Sequence, residues 1–217
     1  DFVPSRGLGD VYKRQVAKMV DPVQQIALES VADALDDAGY GSDREFDRSR
    51  VSVILGNSMG GEFTDDYAVR ARLPAIIKAL KASPEFAALP AIQQQAILAS
   101  FQQQAVADLP PITADSMPGE LANIIAGRVA NAFDLTGPNF TVDAACASSM
   151  AAIQTAVRGL LAHEFDIAVT GGADRSMGVP TYAKFSKIGA LSARHSAPFD
   201  AAADGFVMGE GLSLIHI

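Results

Sequence analysis

"FTVDAACASSMAAIQTAVRGLLAHE" (residues 140–164) joins an apolar segment to a helical one through a turn of small residues. The pattern predicts a strand over Phe140–Ala144 and a helix over Ser148–Glu164. Cys146, which is the only cysteine among the 217 residues, lies in the turn between them. Its position leaves two interpretations open: a nucleophile at the edge of a sheet, or a small apolar residue in a tightly packed core.

Two further segments have the composition of buried strands. "RVSVILG" (Arg50–Gly56) is rich in β-branched residues and is apolar on both faces except at Ser52, which is typical of a strand covered on both sides. "DIAVTGG" (Asp166–Gly172) is similar and ends in glycines. Because helical patterns separate these strands, the sequence indicates an α/β fold with a mainly parallel sheet and helices on both faces.

Two of the helical patterns carry clear signals. In "DPVQQIALESVADALDDAG" (residues 21–39), Asp21 is the predicted N-cap, Pro22 occupies the first helical position and Gly39 stops the helix. "PGELANIIAGRVANAFD" (Pro118–Asp134) predicts a single amphipathic helix.

The stretch between the first strand and that amphipathic helix, about residues 64–115, is predicted to be a helical insertion that lies on the domain. Its glutamine triplets are expected on an exposed face. Its apolar residues are expected to point inward, namely Ile92, Ile97, Leu98, Phe101 and Val106.

The overall composition excludes several classes of protein. Hydrophobic residues make up 49% of the chain and charged residues 19%, which is enough apolar material for a packed core. The net charge of -8 offers no basic face to nucleic acid or to an anionic membrane. No apolar run approaches the roughly 20 residues of a membrane span. One cysteine cannot form an intramolecular disulfide, so a reducing cytoplasm is the expected location.

The two ends of the chain differ in character from the rest. "GLGDVYKRQ" (Gly7–Gln15) and "LSLIHI" (Leu212–Ile217) resemble translated sequencing adapters. Residues 1–15 and 212–217 are therefore predicted to be a non-native leader and tail outside the fold, and residues 16–211 to form the domain. The alternative is a genuine polar arm and a genuine apolar strand.

The predicted turn at Cys146 places its thiol in an environment that favours negative charge. A sharp strand-to-helix turn exposes a side chain at the edge of the sheet and places it at the positive end of a helix. The thiolate is the nucleophilic form of cysteine, and free backbone N–H groups stabilise an anion. The same groups can bind the oxyanion that forms when a thioester carbonyl is attacked.

A cysteine nucleophile also requires a base or a proton relay, and the three histidines are poor candidates. His163 follows Cys146 on the same predicted helix, about 25 Å away at 1.5 Å per residue. His195 lies in a loop, and His216 lies in the predicted tail. Either Cys146 is structural, or part of the active site is missing from this chain.

Several stretches together carry a resemblance to a family. They are "GNSMGG" (Gly56–Gly61), "ANIIAGRVANAFDLTGPNFTVDAACASSMAAI" (Ala122–Ile153), "GGADRSM" (Gly171–Met177) and "PFDAAADGFVMGEG" (Pro198–Gly211). Over about residues 16–211 the chain resembles the β-ketoacyl synthases, the condensing enzymes of fatty-acid and polyketide assembly. The motifs look most like those of type I polyketide or polyunsaturated-fatty-acid synthases. The resemblance implies a thiolase-like fold of two similar βαβαβ halves, of which this chain is the first, with helices packed on a mixed sheet.

The resemblance also implies a mechanism. Cys146 would accept an acyl group from an acyl carrier protein, and its backbone N–H would contribute to the oxyanion hole. A malonyl thioester would then lose carbon dioxide and attack the acyl-cysteine. In the family, two histidines and a lysine of the second half complete the site, and no metal or organic cofactor is needed. The complete enzyme is expected to be a homodimer, and this chain alone to be inactive.

The resemblance assigns further roles. Met150 would face the acyl tunnel, with simple core packing as the alternative. Residues near the C-terminus would brace loops around the site, namely Phe199, Asp200, Asp204 and Glu210. Two other functions stay open: a chain-length partner, although such partners usually lack the cysteine, and a non-catalytic dimerisation or docking module. An isolated first half is also expected to expose an apolar face and to self-associate.

Overall fold

The computed structural model describes residues 18–41 and 44–216, and its centre is a four-stranded sheet. The strands are β1 (Val51–Gly56), β2 (Asn139–Val142), β3 (Ile167–Asp174) and β4 (Gly211–His216), in the order β2-β1-β3-β4. β1 is parallel to β2 and to β3, whereas β4 is antiparallel to β3. The mixed sheet and the βαβαβ order of the first three strands and their helices confirm the predicted α/β class.

Eight α-helices and one short 3₁₀ helix lie within the described part of the chain. The 3₁₀ helix is Arg48–Arg50, and the α-helices are α1 (Pro22–Asp37), α2 (Phe63–Ala82), α3 (Pro84–Ala87), α4 (Ala91–Ala105), α5 (Ser116–Glu120), α6 (Asn123–Ala132), α7 (Ser148–Leu161) and α8 (Val179–Lys187). None of these helices is long and apolar enough to cross a membrane.

The sheet is covered on both faces, as the composition of β1 predicts. All six residues of β1 are buried. Val51, Val53 and Leu55 join one core cluster with residues of α1 and α6. Ile54 points the other way, into a second cluster with Ala152 and Ala156 of α7. Because alternate residues of a strand face opposite sides, a strand between two helical layers must be apolar throughout.

Helix α1 begins and ends at the residues that its sequence indicates. The Asp21 carboxylate accepts a hydrogen bond from the Val23 N–H at 2.9 Å, and Pro22 is the first helical residue. The helix ends at Asp37, and Gly39 has a φ of 74°, in the left-handed region that glycine adopts without steric cost.

The prediction of one helix over Pro118–Asp134 is wrong, because the structure divides this segment into α5 and α6 with a turn at Leu121. A distant residue stabilises the turn. The Nε2 of Gln24, on α1, donates to the carbonyls of Pro118 at 3.1 Å and Gly119 at 2.9 Å. Gln24 reaches these carbonyls from about 94 residues away in the sequence, a contact that local sequence does not reveal.

We expect Gln24→Leu to lower the free energy of unfolding by about 2 kcal/mol, because it removes the Nε2 donor of the two carbonyls and the Oε1 that accepts from the Nε of Arg128 at 2.6 Å. Gln24 is only 1% exposed, so solvent cannot replace the lost bonds. Urea denaturation measures the effect, and Gln95→Leu on the exposed surface of α4 is the matched control. Equal stability of the two variants would show that Gln24 does not hold the turn.

The insertion is helical as predicted, but its apolar residues do not all point inward. Ile92 is 81% exposed and Ile97 is 41% exposed, so their predicted inward orientation is wrong. Leu98, Phe101 and Val106 are half-buried. The physical reason is that α4 packs mainly against α2 and has no second layer above it, which leaves most of its circumference uncovered.

The structure also corrects the exclusion of the C-terminal segment from the fold. Residues 211–216 form β4, in register with β3 from Asp174 opposite Gly211 to Val169 opposite His216. The apolar composition that resembles an adapter is also typical of a sheet strand. The alternative interpretation of residues 212–217 as an apolar strand therefore describes the conformation of this segment correctly. The predicted leader, residues 1–15, lies outside the described residues, and the non-native origin of either end stays a prediction.

A buried carboxylate links α1 to the insertion. Asp21 is 1% exposed, and its second oxygen accepts a hydrogen bond from the N–H of Phe63, at the start of α2, at 2.8 Å. Burial raises the pKa of Asp21, and the negative charge of nearby Glu62 raises it further. The folded chain therefore holds this proton to higher pH than the unfolded chain does.

This pKa shift predicts how the penalty of Asp21→Asn changes with pH. A raised pKa in the folded state gives stability that is present below the unfolded value, near 4, and is lost as pH rises through the folded value. The asparagine does not titrate, so the variant's loss of unfolding free energy should be smaller at pH 7 than at pH 4. Urea midpoints at both pH values measure it, with Asp33→Asn on α1 as the control. A penalty that grew towards pH 7 would contradict the argument.

Candidate active site

Cys146 lies where β2 leads into α7, as predicted. Strand β2 ends at Val142, α7 begins at Ser148, and the Cys146 turn (residues 143–147) connects them. The thiol is free and exposed, so the core-packing interpretation of Cys146 is wrong for this chain. Ala145, immediately before it, has a φ of 50°, a conformation that non-glycine residues rarely adopt.

Hydrogen bonds hold the Cys146 turn in its sharp shape. The Oγ of Ser148 accepts from the Ala144 N–H at 2.9 Å and donates to the Ala145 carbonyl at 2.6 Å. The Asp143 carboxylate accepts from the Ala145 N–H at 2.9 Å. These bonds close the turn on both sides of the strained residue, and so they fix the direction in which the Cys146 side chain leaves the backbone.

Backbone N–H groups without a protein acceptor lie at Cys146 and in the first turn of α7. Within the described residues, the N–H groups of Cys146, Ser149 and Met150 donate to no protein acceptor. Unpaired donors are expected in the first turn of a helix, where they favour negative charge. The N–H of Cys146 is therefore free to bind an oxyanion, as its predicted role requires.

Two glycines of the sheet pack directly against the start of α7. A Cβ at Gly56, the last residue of β1, would lie 2.4 Å from the backbone carbon of Ser148. A Cβ at Gly172, in β3, would lie 2.6 Å from the Cβ of Ser149. Only residues without a side chain allow the helix to approach the strand ends this closely. The two glycines therefore determine how far Cys146 lies from the sheet.

The loop after β1 forms one wall of the site and is fixed by a buried amide. The Nδ2 of Asn57 donates to the carbonyls of Gly60 at 3.0 Å and Ala173 at 2.8 Å, and its Oδ1 accepts from the Gly60 N–H at 3.1 Å. The bond to Ala173 ties the loop to β3. Met59, at the tip, has a φ of 74° and is exposed.

Cys146 opens into a cavity of about 650 Å³ at the carboxyl ends of β1 and β3. Its apolar lining includes Met59, Met150, Ile153, Phe185 and Met208, and these five residues come from four separate segments of the chain. Met150 is 66% exposed, so its alternative interpretation as core packing is wrong, while its role in an acyl tunnel stays a prediction. Phe185 and Met208 were not identified from the sequence, because they reach the cavity only through the tertiary fold.

The structure brings no described histidine side chain to the thiol. His163 follows α7 at the opposite end from Cys146, and His195 is exposed in its loop, and neither lines the cavity. The side chain of His216 lies outside the described part of the chain. No group of three or more histidine, cysteine, aspartate or glutamate residues in the described ranges is arranged to hold a metal ion.

Three of the four predicted bracing residues make side-chain contacts with nearby residues, and their role in bracing the site stays a prediction. Glu210 pairs with Arg175 at 3.0 Å, and Asp204 pairs with Arg194 at 3.0 Å. Hydrogen bonds from the Ser192 hydroxyl and from the Arg194 guanidinium lower the pKa of Asp204. Asp200 accepts from the N–H of Ala202 at 2.7 Å. The side chain of Phe199, in contrast, is fully exposed, so its predicted bracing role is wrong in this chain.

Comparison with known proteins shows the family to which the chain belongs. A family model described as "Beta-ketoacyl synthase, N-terminal domain" matches residues 8–217. The chain therefore belongs to the β-ketoacyl synthase family, and it corresponds to the N-terminal domain of that family.

Individual relatives show the same relationship. The chain is 31% identical over 196 residues to a polyunsaturated fatty acid synthase of a Thraustochytrium species, covering 90% of this chain and 7% of that protein. It is 30% identical over 208 residues to 3-oxoacyl-[acyl-carrier-protein] synthase 2 of Rhizobium meliloti, covering 91% of this chain and 41% of the relative. It thus spans less than half the length of either.

A solved structure confirms the thiolase-like fold. A β-ketoacyl synthase from Burkholderia phymatum matches 98% of this chain and 46% of its own, with a TM-score of 0.69 and 22% identity. At that identity the likeness establishes the fold alone. The predicted assignment to a thiolase-like α/β fold is therefore confirmed.

Proposed function

We propose that this chain is the acyl-accepting half of a β-ketoacyl synthase, with Cys146 as its nucleophile. The thiolate attacks the carbonyl of an acyl thioester carried by an acyl carrier protein. A new bond forms between Sγ and the acyl carbon, the bond from that carbon to the carrier sulfur breaks, and the carrier leaves as a thiolate that takes up a proton from solvent. One observation carries this proposal: an exposed cysteine opens into a cavity beside unpaired N–H groups at the start of a helix.

The second half-reaction is proposed from the family. A malonyl thioester loses carbon dioxide, and the resulting carbanion attacks the acyl carbon. The bond from that carbon to the Sγ of Cys146 breaks, the Cys146 thiolate is released, and the β-ketoacyl product stays on the carrier that brought the malonyl group. The described residues supply no histidine for this step, so we propose that residues outside this chain complete the site. The chain by itself is then expected to accept an acyl group but to form no carbon–carbon bond.

Helix α7 has an exposed apolar face that a second half of the enzyme or a second copy of the chain could cover. Met150, Val157 and Leu161 lie on one side of α7, and they are 66%, 38% and 77% exposed. Strand β2 lies at the open edge of the sheet. In the complete enzyme we propose that a second half covers this face and that the segment around β2 lies at a homodimer interface. The isolated chain is then expected to self-associate, which light scattering measures.

Acyl loading tests the proposed function directly. The chain is incubated with octanoyl-pantetheine thioester, and intact-mass and peptide mass spectrometry locate the transferred acyl group. We expect one octanoyl group, on Cys146, and no elongated product after malonyl-pantetheine is added. Transfer to lysines alone would refute the nucleophilic role of Cys146, and elongation by this chain alone would refute the need for further residues.

Alkylation tests the environment of the thiol without any substrate. We expect iodoacetamide to modify Cys146 at pH 7 about tenfold faster than it modifies glutathione, because the unpaired N–H groups at the start of α7 stabilise the thiolate. Mass spectrometry at timed quenches gives both rates. A rate no greater than that of glutathione would show that the turn exposes the thiol without activating it.

A further inference from the structure

A buried hydroxyl without a partner lies in the wall of the Cys146 cavity. Three buried side-chain oxygens in the described residues have no hydrogen-bond partner, and they belong to Tyr67, Thr170 and Ser176. Of these, only Ser176 lines the cavity that holds Cys146. Its side chain is 4% exposed. Burial of an unpaired hydroxyl is unfavourable, so a hydroxyl kept in a binding cavity indicates a partner on the ligand.

The backbone at Ser176 is held in place by its neighbour. Arg175 pairs with Glu62, from the loop after β1, at 3.3 Å and with Glu210, just before β4, at 3.0 Å. The hydroxyl is therefore carried on a segment that is tied to both flanking loops. Such anchoring suits a group that recognises a ligand at a defined position.

The surroundings of Ser176 indicate which part of a substrate would reach it. The acyl carrier's pantetheine arm must extend from Cys146 towards solvent, whereas Ser176 is almost fully buried. It shares the cavity wall with Ile153 and Phe185, apolar residues suited to a hydrocarbon chain, and with the buried residue Thr181. A substrate oxygen that meets Ser176 thus belongs to the acyl chain.

We propose that Ser176 is a specificity-determining residue, whose Oγ donates a hydrogen bond to an oxygen on the acyl chain bound at Cys146. The preferred substrates are then acyl thioesters that carry a hydroxyl or keto group along the chain, rather than fully saturated ones. A saturated chain leaves the Ser176 hydroxyl unpaired, whereas an oxygenated chain satisfies it, and this difference separates the two substrates. The proposal rests on the proposed acyl transfer to Cys146.

Acylation rates of the full chain test the proposal. Octanoyl-pantetheine is compared with a panel of octanoyl-pantetheines that carry one hydroxyl at each chain position in turn, with mass spectrometry as the readout. We expect at least one hydroxylated thioester to acylate Cys146 about fivefold faster than octanoyl-pantetheine, the effect of one neutral hydrogen bond. In Ser176→Ala this ratio should fall to about one, because the hydroxylated thioester loses its donor on the cavity wall.

Three results would overturn the proposal while the proposed function stands. One is equal rates for all thioesters in the wild-type chain. Another is a Ser176→Ala variant that slows octanoyl and hydroxyoctanoyl transfer equally, which would place the contact on the pantetheine arm. The third is a clear fall in melting temperature in Ser176→Ala, which would reveal a structural bond. Ser186→Ala, on the exposed side of α8, is the control and should preserve the ratio. If no thioester acylates Cys146, the proposed function and this proposal fail together.

Discussion

Replacement of Cys146 by alanine is expected to reduce acyl transfer from octanoyl-pantetheine by at least about a thousandfold, to the background of uncatalysed aminolysis. No other thiol exists in the chain, and no described histidine lines the cavity, so no neighbouring group can take over the attack. Intact-mass spectrometry over time measures the loss.

Because Cys146 is exposed, its replacement by alanine should change the chemistry of the site without changing the stability of the fold. Because the thiol fills no space in the core, Cys146→Ala should keep the melting temperature of the wild-type chain. Loss of acylation without loss of stability then isolates the chemical role. Residual transfer within tenfold of the wild-type rate would show that another group in the cavity accepts the acyl chain.

Substitution of Gly56 by alanine is expected to lower the free energy of unfolding by about 3 kcal/mol. The added Cβ would lie 2.4 Å from the backbone carbon and 2.5 Å from the carbonyl oxygen of Ser148. Backbone atoms cannot rotate away as a side chain can, so the first turn of α7 must move. The thiol moves with it, and we expect slower alkylation of Cys146 as well.

Gly209→Ala is the matched control for this substitution. A Cβ at Gly209 meets nothing within 4 Å, so the same chemical change should alter neither stability nor alkylation. Urea denaturation and timed iodoacetamide labelling compare the two variants. If Gly56→Ala were as stable as Gly209→Ala, the helix would rest on the sheet less closely than the structure indicates.

Those parts of the fold that depend on local signals could be predicted from the sequence. Asp21, Pro22 and Gly39 mark the ends of α1 because caps and stops act within a few residues. The break at Leu121 could not be predicted, because Gln24, which stabilises it, lies far away in the chain. The exposure of Ile92 was missed for a similar reason, since periodicity shows which residues share a face but not whether another layer covers it.

In the candidate site, too, the features that depend on local sequence could be predicted and those that depend on distant contacts could not. The placement of Cys146 follows from adjacent strand and helix patterns, and the structure confirms it. Asn57 and Ser176 could not be identified, because their significance lies in contacts with β3 and with the cavity that only the folded chain creates. The strand β4 was missed because its apolar composition has two explanations, and pairing with β3 distinguishes them only in three dimensions.

The ion pairs of Arg175 bear on the order in which the chain folds. Arg175 joins Glu62, 113 residues away in the sequence, to Glu210. The pair with Glu62 requires the segments after β1 and β3 to come together, and the pair with Glu210 requires the segment before β4 to reach β3. Closing such long loops costs entropy that only the completed sheet offsets. We therefore expect the rim of the cavity to assemble late, after the sheet beneath it. Because contacts formed after the folding transition state act on the unfolding rate, we expect these ion pairs to slow the opening of the site more than they speed its formation.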